Sequence, residues 1–417
     1  MVGRISSLMG NERFHHSPEE YFEYAEKSLT AAVEDGRITP EDAGLIREYV
    51  AESSSGLSPG RQYKTAYTLI AVRRYLPPFL ETKKTDLLGG INRMRFAKKD
   101  NGKPYKKNTI ADYVRFTKRF YLWLVKRGYV DIPADIIKEI KNPQYDTQTK
   151  NEDDILTGEE VSQLIDAAKS IKYKALIGVM YEAGLRSGEV ASLKWKDVTF
   201  HEWGAKVRTA EKTGRLRTIP IITYREYLAK WKTSYPGDPT GDNYVFLTSR
   251  GEPMQYRGLA KAISNFAKAA GIKKKITLHT FRHSRITHAL RGGMQETLAK
   301  KAFWGNQTTK MINTYSHLVD EDVDNAFAAL AGVELPDSDR TNESPEPVQC
   351  PNCHLVMPPG SRFCGRCGLT LTVEAAETVN TVIKAAEAVV ANPNDPEALT
   401  ILLEARARMA MKNGGGT

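Results

Sequence analysis

Residues 182–195 read EAGLRSGEVASLKW, and this stretch carries the first indication of the fold. The helical pattern over 172–183 ends at Gly184, and Ser187 stands where it can cap the next helix. Arg186 lies between the two helices, where a guanidinium group can lean into a cleft. Taken alone the position says little, because an arginine after a helix-ending glycine is more often a surface residue.

The residues around this stretch predict a mainly helical domain that contains a small antiparallel β-sheet. A helix is expected after its N-cap at Thr157, and helices return from about 256 to 332. Between them, residues 196–222 show three short strand patterns, with a turn at Thr213-Gly214. The fold class is therefore α+β, over a domain that spans residues 155–332.

A separate all-helical domain with a basic face is expected over residues 1–140. A helix that begins after Asn108 has its apolar residues on one stripe and ends at Gly128. An ordinary amphipathic helix explains the apolar stripe but not the lysine-rich segment that precedes the helix. The polar segment 141–154 is interpreted as a linker. The candidate nucleic-acid contacts are Lys98, Lys99, Lys103, Lys106, Lys107, Arg115, Lys118 and Arg119.

The composition is typical of a soluble globular protein with two or three domains. Of the 417 residues, 41% are hydrophobic and 26% are charged. No apolar run approaches the roughly 20 residues of a membrane span, and the N-terminus lacks the apolar core of a secretory signal. We therefore expect a cytoplasmic protein with no membrane partner.

The net charge of +10 is unevenly distributed. Residues 333–417 contain 11 acidic and 7 basic residues, so residues 1–332 carry an excess of +14. Such an excess suits a polyanion, because each phosphate neutralised by lysine or arginine releases counterions. A solvated basic surface that only maintains solubility explains the same charge.

All four cysteines lie in one short module, as CPNC at 350–353 and CGRC at 364–367. Two CxxC knuckles at this spacing predict one structural Zn²⁺ with the ligands Cys350, Cys353, Cys364 and Cys367. The module, a zinc ribbon over 350–372, has three possible roles: an added DNA contact, protein docking, or a self-folding appendage. We expect a disordered linker over 333–349 before it.

The last segment, 373–417, shows two alanine-rich helical patterns. They predict a helical tail that oligomerises, packs on a neighbouring subunit or folds back on the zinc module.

Four further side chains suggest phosphate chemistry when they are taken together with Arg186. Lys212 is expected at a hairpin tip, His279 and Arg282 share a helix face at i and i+3, and Tyr315 is expected at the end of a later helix. With Arg186 they form a set of two arginines, a lysine, a histidine and a tyrosine, without an acidic metal cluster. This set favours electrostatic stabilisation of a phosphoryl transition state, attacked by a side-chain nucleophile.

The order and spacing of these motifs give the set its specificity. EAGLRSGEVASLKW, EKTGRLRTIPI (211–221), LHTFRH (278–283), WGN (304–306) and TYSHL (314–318) follow one another along the chain. Residues 155–320 thereby resemble the catalytic domain of the tyrosine recombinases, or phage-type integrases, which include the Xer proteins. The helical domain at about 15–140 is similar in position and character to the family's core-binding domain.

The resemblance implies a role for each residue of the set. Tyr315 would attack the scissile phosphate and form a 3′-phosphotyrosyl link, while Arg186 and Arg282 hold the non-bridging oxygens. Lys212 would protonate the departing 5′-oxygen, and His279 would assist proton transfer at Tyr315.

Two further features follow from the resemblance. Glu189 would buttress the site. No cofactor is implied for catalysis, because the covalent intermediate stores the phosphodiester energy.

Asn306 departs from the family pattern, in which His or Trp stands nine residues before the tyrosine. Asparagine keeps a hydrogen-bond donor but cannot act as acid or base. We expect a functional site with Asn306 as a neutral donor, with a weakened or inactive enzyme as the alternative.

The resulting hypothesis is a site-specific recombinase that cuts and rejoins duplex DNA as a tetramer on paired sites. The added zinc module favours integration or excision of a mobile element over Xer-like resolution of chromosome dimers. Two rivals remain: a DNA-binding regulator of the same fold with lost or weakened catalysis, and a type IB topoisomerase-like relaxase.

Overall fold

The computed structural model describes residues 14, 17–53, 56–99, 101–146, 154–210, 216–315 and 345–413. The chain divides into two compact units, Glu12–Thr149 and Lys150–Thr417, the second of which also takes in Met1–Asn11. Parts of both expected linkers, 147–153 and 333–344, lie outside the described residues. Within the described ranges, no helix has the length and apolar character needed to span a bilayer.

The unit Glu12–Thr149 is helical, as expected for the N-terminal part of the chain. Its helices are α1 (Pro18–Glu34), α2 (Pro40–Ser53), α3 (Pro59–Val72), α4 (Lys84–Arg95), α5 (Lys107–Lys126) and α6 (Ala134–Glu139). The α5 stripe packs into an aromatic core in which the rings of Phe79 and Phe120 meet edge to face at 4.9 Å. Its buried carboxylate, Asp42, accepts hydrogen bonds from Arg73 Nε at 2.7 Å and from the Phe79 amide at 2.8 Å.

Residues 155–315 form the mixed domain that the sequence predicts. Its helices are α7 (Gly158–Ala167), α8 (Ile171–Glu182), α9 (Ser187–Ala191), α10 (Arg225–Thr233), α11 (Tyr256–Ala269), α12 (Leu278–Arg291) and α13 (Glu296–Trp304), and its strands are β1 (Val198–His201), β2 (Gly204–Ala210) and β3 (Leu216–Ile221). The strands form one antiparallel sheet in the order β1-β2-β3, with Val207 opposite both Val198 and Ile219. The predicted α+β class is confirmed.

Helix α8 is the buried centre of this domain, since every residue from Ala175 to Glu182 is buried. Its last residue, Glu182, anchors the end of the sheet: the carboxylate accepts hydrogen bonds from the backbone amides of residues 222, 223 and 224 at 2.8–3.0 Å. Tyr181 donates or accepts a 2.7 Å hydrogen bond with Nδ1 of His288 on α12. These contacts fix β3 and α12 against one helix, and both elements carry residues of the candidate site.

The cysteine segment contains a two-stranded antiparallel pairing of β4 (Val348–Gln349) with β5 (Val356–Met357). Two long helices follow it, α14 (Val373–Ala391) and α15 (Pro396–Asn413). They contact each other as a helical hairpin.

Candidate active site

Arg282, on α12, is the buried centre of the candidate site. It is 4% exposed, although it is charged. Its Nη1 donates to the Gly184 carbonyl at 2.6 Å and its Nη2 donates to the Phe303 carbonyl at 2.5 Å. The guanidinium also lies over the ring of Trp304, 5.4 Å from its centroid. Arg282 therefore joins the end of α8 to the end of α13.

The two carbonyls are presented by sharp turns that the sequence requires. Gly184 has φ +53, and a Cβ at this position would lie 2.9 Å from the Phe303 ring. Gly305 ends α13 in the left-handed conformation, with φ +63. Since only glycine adopts such angles without steric cost, both turns depend on these residues.

A second buried arginine, Arg217 on β3, supports the same corner. Its Nη1 donates to the carbonyls of Ala302 and Phe303 at 3.0 and 2.8 Å, and its Nη2 forms an ion pair with Glu189. Glu189 also contacts Arg186: the Arg186 amide donates to Oε2 at 2.7 Å, and Nη1 lies 3.2 Å from Oε1. Arg186 itself is the N-cap of α9, and Ser187, the expected cap, is the first residue of that helix.

Three arginines and one carboxylate thus form a net positive cluster, called here the arginine cluster: Arg186, Glu189, Arg217 and Arg282. Burial, followed by the charges of Arg217 and Arg186, lowers the pKa of Arg282 to about 9. A group this disfavoured in its charged form would gain from a nearby anion. The cluster is therefore suited to a phosphate.

Tyr315 is buried beside the arginine cluster, with 3% of its surface exposed. Its hydroxyl forms a 2.6 Å hydrogen bond with Nδ1 of His283, and its ring meets Trp304 edge to face at 6.0 Å. Burial raises the pKa of Tyr315 to about 12, against the opposing effect of Arg282 and Arg186.

The backbone before Tyr315 differs from the later helix at whose end the tyrosine is expected. Helix α13 ends at Trp304, and Tyr315 follows a short 3-10 helix, Met311–Thr314. The break arises because Asn306 Oδ1 accepts hydrogen bonds from the amide and hydroxyl of Thr308, at 3.0 and 2.9 Å, which makes a local turn in place of helical bonds. Two short helical segments, α13 and the 3-10 helix, thus stand in place of one continuous helix.

Asn306 is half-buried in this turn, and the next buried apolar residue, Ile312, follows six residues later. Since its Oδ1 is engaged by Thr308, the amide nitrogen is the part of the side chain that can donate to a phosphate.

The other two residues of the expected set have different outcomes. His279 lies in the first turn of α12 and is exposed. The hydrogen bond to the Tyr315 hydroxyl comes from His283, one helical turn later. Lys212 lies outside the described residues, in the segment 211–215 that joins β2 to β3.

The basic residues of the N-terminal unit fall into two groups. Lys98, Lys99, Lys103, Lys106 and Lys107 are exposed, and a turn brings them close, because the Lys99 amide donates to the Lys103 carbonyl at 2.8 Å. We call these five residues the lysine turn.

The two arginines and the lysine expected on α5 are less uniform. Arg119 is exposed. Arg115 lies over the Tyr145 ring at 4.0 Å, and Lys118 donates to the carbonyls of Lys138 and Ile140 at 2.6 and 2.8 Å. Lys118 and Arg115 thus have internal partners that the sequence did not indicate.

The four cysteines converge, and the structure records them as free thiols. All four Sγ atoms lie within 4.8 Å of one another. Two equivalent turns hold them: the His354 amide donates to the Cys350 carbonyl at 2.9 Å, and the Gly368 amide donates to the Cys364 carbonyl at 3.0 Å. Tetrahedral zinc with Zn–S bonds of about 2.3 Å needs sulfurs about 3.8 Å apart, which this spacing fits.

Comparison with known proteins identifies the mixed domain. Residues 154–322 match the model of the phage integrase family. This domain is therefore similar to the phage integrases. Transposase A from transposon Tn554 of Staphylococcus aureus is 30% identical over 185 residues, which cover 41% of this chain and 51% of the transposase. The chain thus matches about half the length of that relative. XerD of Listeria monocytogenes is 25% identical over 246 residues, covering 57% of this chain and 78% of XerD.

Two solved structures of lambda integrase agree with this chain in fold. A lambda integrase dimer bound to a COC′ core site has a TM-score of 0.52 at 16% identity, covering 72% of this chain and 80% of that one. A lambda integrase tetramer bound to a Holliday junction has a TM-score of 0.51 at 17% identity, covering 65% and 76%. At these identities the likeness shows the fold alone.

Two site residues were missed by the sequence reasoning, although both stand inside its motifs. Arg217 is the second residue of LRTIPI, where the buried positions alternate with exposed ones as 217, 219 and 221. An arginine on the inward side of a strand is a signal for a buried ionic site. His283 is the last residue of LHTFRH and shares its helix face with His279 at i+4.

Proposed function

We propose that this protein is a site-specific DNA recombinase that cleaves and rejoins duplex DNA through a 3′-phosphotyrosine on Tyr315. One observation carries the proposal: the buried Tyr315 hydroxyl lies beside a fixed, net positive arginine cluster. Such preorganised cations stabilise the charge that develops on phosphate oxygens without reorganising during the reaction.

In the proposed step, the Tyr315 oxygen bonds to phosphorus and the bond from phosphorus to the 5′-oxygen breaks. Arg186 and Arg282 hold the non-bridging oxygens, and Lys212 protonates the leaving 5′-oxygen. His279, exposed in the first turn of α12, and Asn306 would add hydrogen-bond donors to the phosphate. The link conserves the phosphodiester energy, so the reaction needs neither a nucleotide nor a catalytic metal.

Duplex DNA is the proposed partner, bound in part by the lysine turn. The lambda integrase neighbours are described as a dimer on a core site and a tetramer on a Holliday junction. These support the proposal of a homotetramer on paired DNA sites. We expect the protein to work in the cytoplasm. The similarity to a transposon's transposase favours integration or excision of a mobile element, while the similarity to XerD keeps chromosome-dimer resolution as the alternative.

The activity is tested with short duplexes of randomised sequence, each nicked on one strand so that a cleaved fragment diffuses away. We expect wild-type protein to trap a covalent complex with a narrow set of sequences, and Tyr315→Phe to bind the same DNA without trapping it. Binding without any covalent complex would leave a DNA-binding regulator. Trapping of every sequence alike would favour the topoisomerase-like relaxase.

For the cysteine module we propose one structural Zn²⁺ held by Cys350, Cys353, Cys364 and Cys367. The convergence of the four Sγ atoms and the two matching turns support it. Elemental analysis should find about one zinc per chain, and Cys364→Ser should lose it, whereas His354→Gly, beside the ligands, should keep it. A zinc-free protein with four thiols that titrate freely would overturn the site.

A further inference from the structure

A histidine outside the expected catalytic set lies directly against the nucleophile. His283 Nδ1 is 2.6 Å from the Tyr315 hydroxyl oxygen, and the two ring centroids are 5.5 Å apart. We propose that His283 is a catalytic residue that takes the phenolic proton of Tyr315 during strand cleavage and returns it during ligation. The inference rests on the proposed function and adds to it the group that activates the nucleophile.

Tyr315 needs such a group because its surroundings keep the phenol neutral. With a pKa raised to about 12 by burial, roughly one hydroxyl in 10⁵ is ionised at pH 7. Arg282 and Arg186 oppose the rise but do not bring the pKa near neutrality. A neutral phenol attacks phosphorus poorly, so a positioned acceptor has a large effect on the rate.

The position of His283 on α12 suits this role better than that of His279. The two histidines are one turn apart on one helix face, with ring centroids 5.8 Å apart. His279 is exposed at the start of the helix, whereas His283 is half-buried between that surface and Tyr315. His279 is therefore open to solvent, whereas His283 is in contact with the nucleophile.

Few other groups compete for the proton among the described residues that face Tyr315. Arg282 and Arg186 are cations and accept no proton, and Trp304 has only an N–H donor. The one nearby carboxylate, Glu189, is committed to ion pairs with Arg186 and Arg217.

The step balances in both directions. In cleavage, the Tyr315 oxygen bonds to phosphorus, its proton passes to Nδ1 of the neutral imidazole, and the 5′-oxygen leaves with a proton from Lys212. The His283 ring must therefore carry its own proton on Nε2 beforehand. In ligation, the 5′-hydroxyl attacks phosphorus and gives its proton back to Lys212. The bond from phosphorus to the Tyr315 oxygen breaks, and the imidazolium returns the phenolic proton to Tyr315.

His283→Asn separates proton transfer from mere positioning. The asparagine oxygen can accept a hydrogen bond near the place of Nδ1 but cannot take the proton. His283→Gln serves as a second variant should the first fail to fold, and His279→Asn is the matched control on the same helix face. The measurement is the single-turnover rate of covalent complex formation, on a duplex recovered from the randomised pool, between pH 6 and 9.

We expect His283→Asn to lower the rate by about 10²-fold or more at pH 7. Its rate should then climb about tenfold per pH unit, following the ionised fraction of Tyr315 below its pKa of about 12. The wild-type profile should be flatter, and His279→Asn should keep the wild-type shape whatever its own loss. A 5′-bridging phosphorothiolate, whose sulfur leaves without a proton, should not restore His283→Asn.

A His283→Asn rate within about threefold of wild type would overturn the inference, because a positioning contact alone would then suffice. Rescue by the sulfur leaving group would also overturn it, since His283 would then act on the 5′-oxygen. If wild-type protein itself traps no DNA, the proposed function fails first, and that result is distinct from either of these.

Discussion

The arginine cluster and the lysine turn are both basic, yet they hold their charges in opposite ways. The arginines at 217 and 282 are buried and tied to the backbone carbonyls of residues 184, 302 and 303. The lysine turn is exposed, on flexible stems that water surrounds. The arginine cluster suits one phosphate held in one orientation. The lysine turn suits contact with many phosphates and does not fix the orientation of any of them.

The difference follows from what each site must do. A transition state is stabilised by donors that are already in place, so an enzyme fixes them during folding. General affinity for DNA comes from counterion release, which needs charge near the backbone but little order. Variants of the two regions should therefore change different measurements.

The largest effect is expected in the arginine cluster itself. Arg282→Lys keeps the charge but loses the planar fork that holds two carbonyls and faces the phosphate, so cleavage should fall about 10²- to 10³-fold. Single-turnover trapping measures this, with Arg285→Lys, on the same helix, as the control. If Arg282→Lys instead lowered the affinity for DNA and left the cleavage rate unchanged, the arginine cluster would serve only general DNA binding, as the lysine turn does.

Arg217→Met should act mainly on stability. It leaves Glu189 and two carbonyls of α13 without their buried cation, at a cost of about 3–5 kcal/mol in the free energy of unfolding. Urea unfolding measures this cost, and the double variant with Glu189→Met should lose less than the sum of the two single variants. Additive losses would show that the ion pair does not couple the two residues.

Asn306 should have a moderate effect. Asn306→Ala removes both the turn with Thr308 and the candidate donor, so we expect about a tenfold loss of cleavage. Thr308→Val, which removes only the hydroxyl partner in the turn, is the control. If Asn306→His raised cleavage a hundredfold, asparagine would be a handicap, and the neutral-donor interpretation would be wrong.

The smallest effects belong to the lysine turn. Lys99→Gln and Lys103→Gln should each lower the slope of log affinity against log salt by about 0.9 and weaken binding a few-fold. Lys126→Gln, exposed at the end of α5, is the control. An unchanged slope would exclude these lysines from the DNA contact.

Much of the site was predictable because its residues stand in short local motifs. The turn after Gly184 and the shared face of His279 and Arg282 depend on neighbours in sequence, and so did the three strands. What could not be predicted are contacts between distant segments: Arg217 with the end of α13, His283 with Tyr315, and Lys118 with the carbonyls after α6. The helix expected before Tyr315 is instead a turn and a short 3-10 helix, because Asn306 accepts hydrogen bonds from Thr308 in place of helical ones.

The central claim is that Tyr315, held beside the arginine cluster, becomes joined to DNA. The direct measurement is mass spectrometry of the peptide linked to nuclease-trimmed DNA, from the complex trapped on a nicked duplex. We expect a 3′-phosphate link on Tyr315 and a freed 5′-hydroxyl that polynucleotide kinase labels without prior phosphatase treatment. A link on another residue, or a 5′-phosphate on the freed strand, would contradict it.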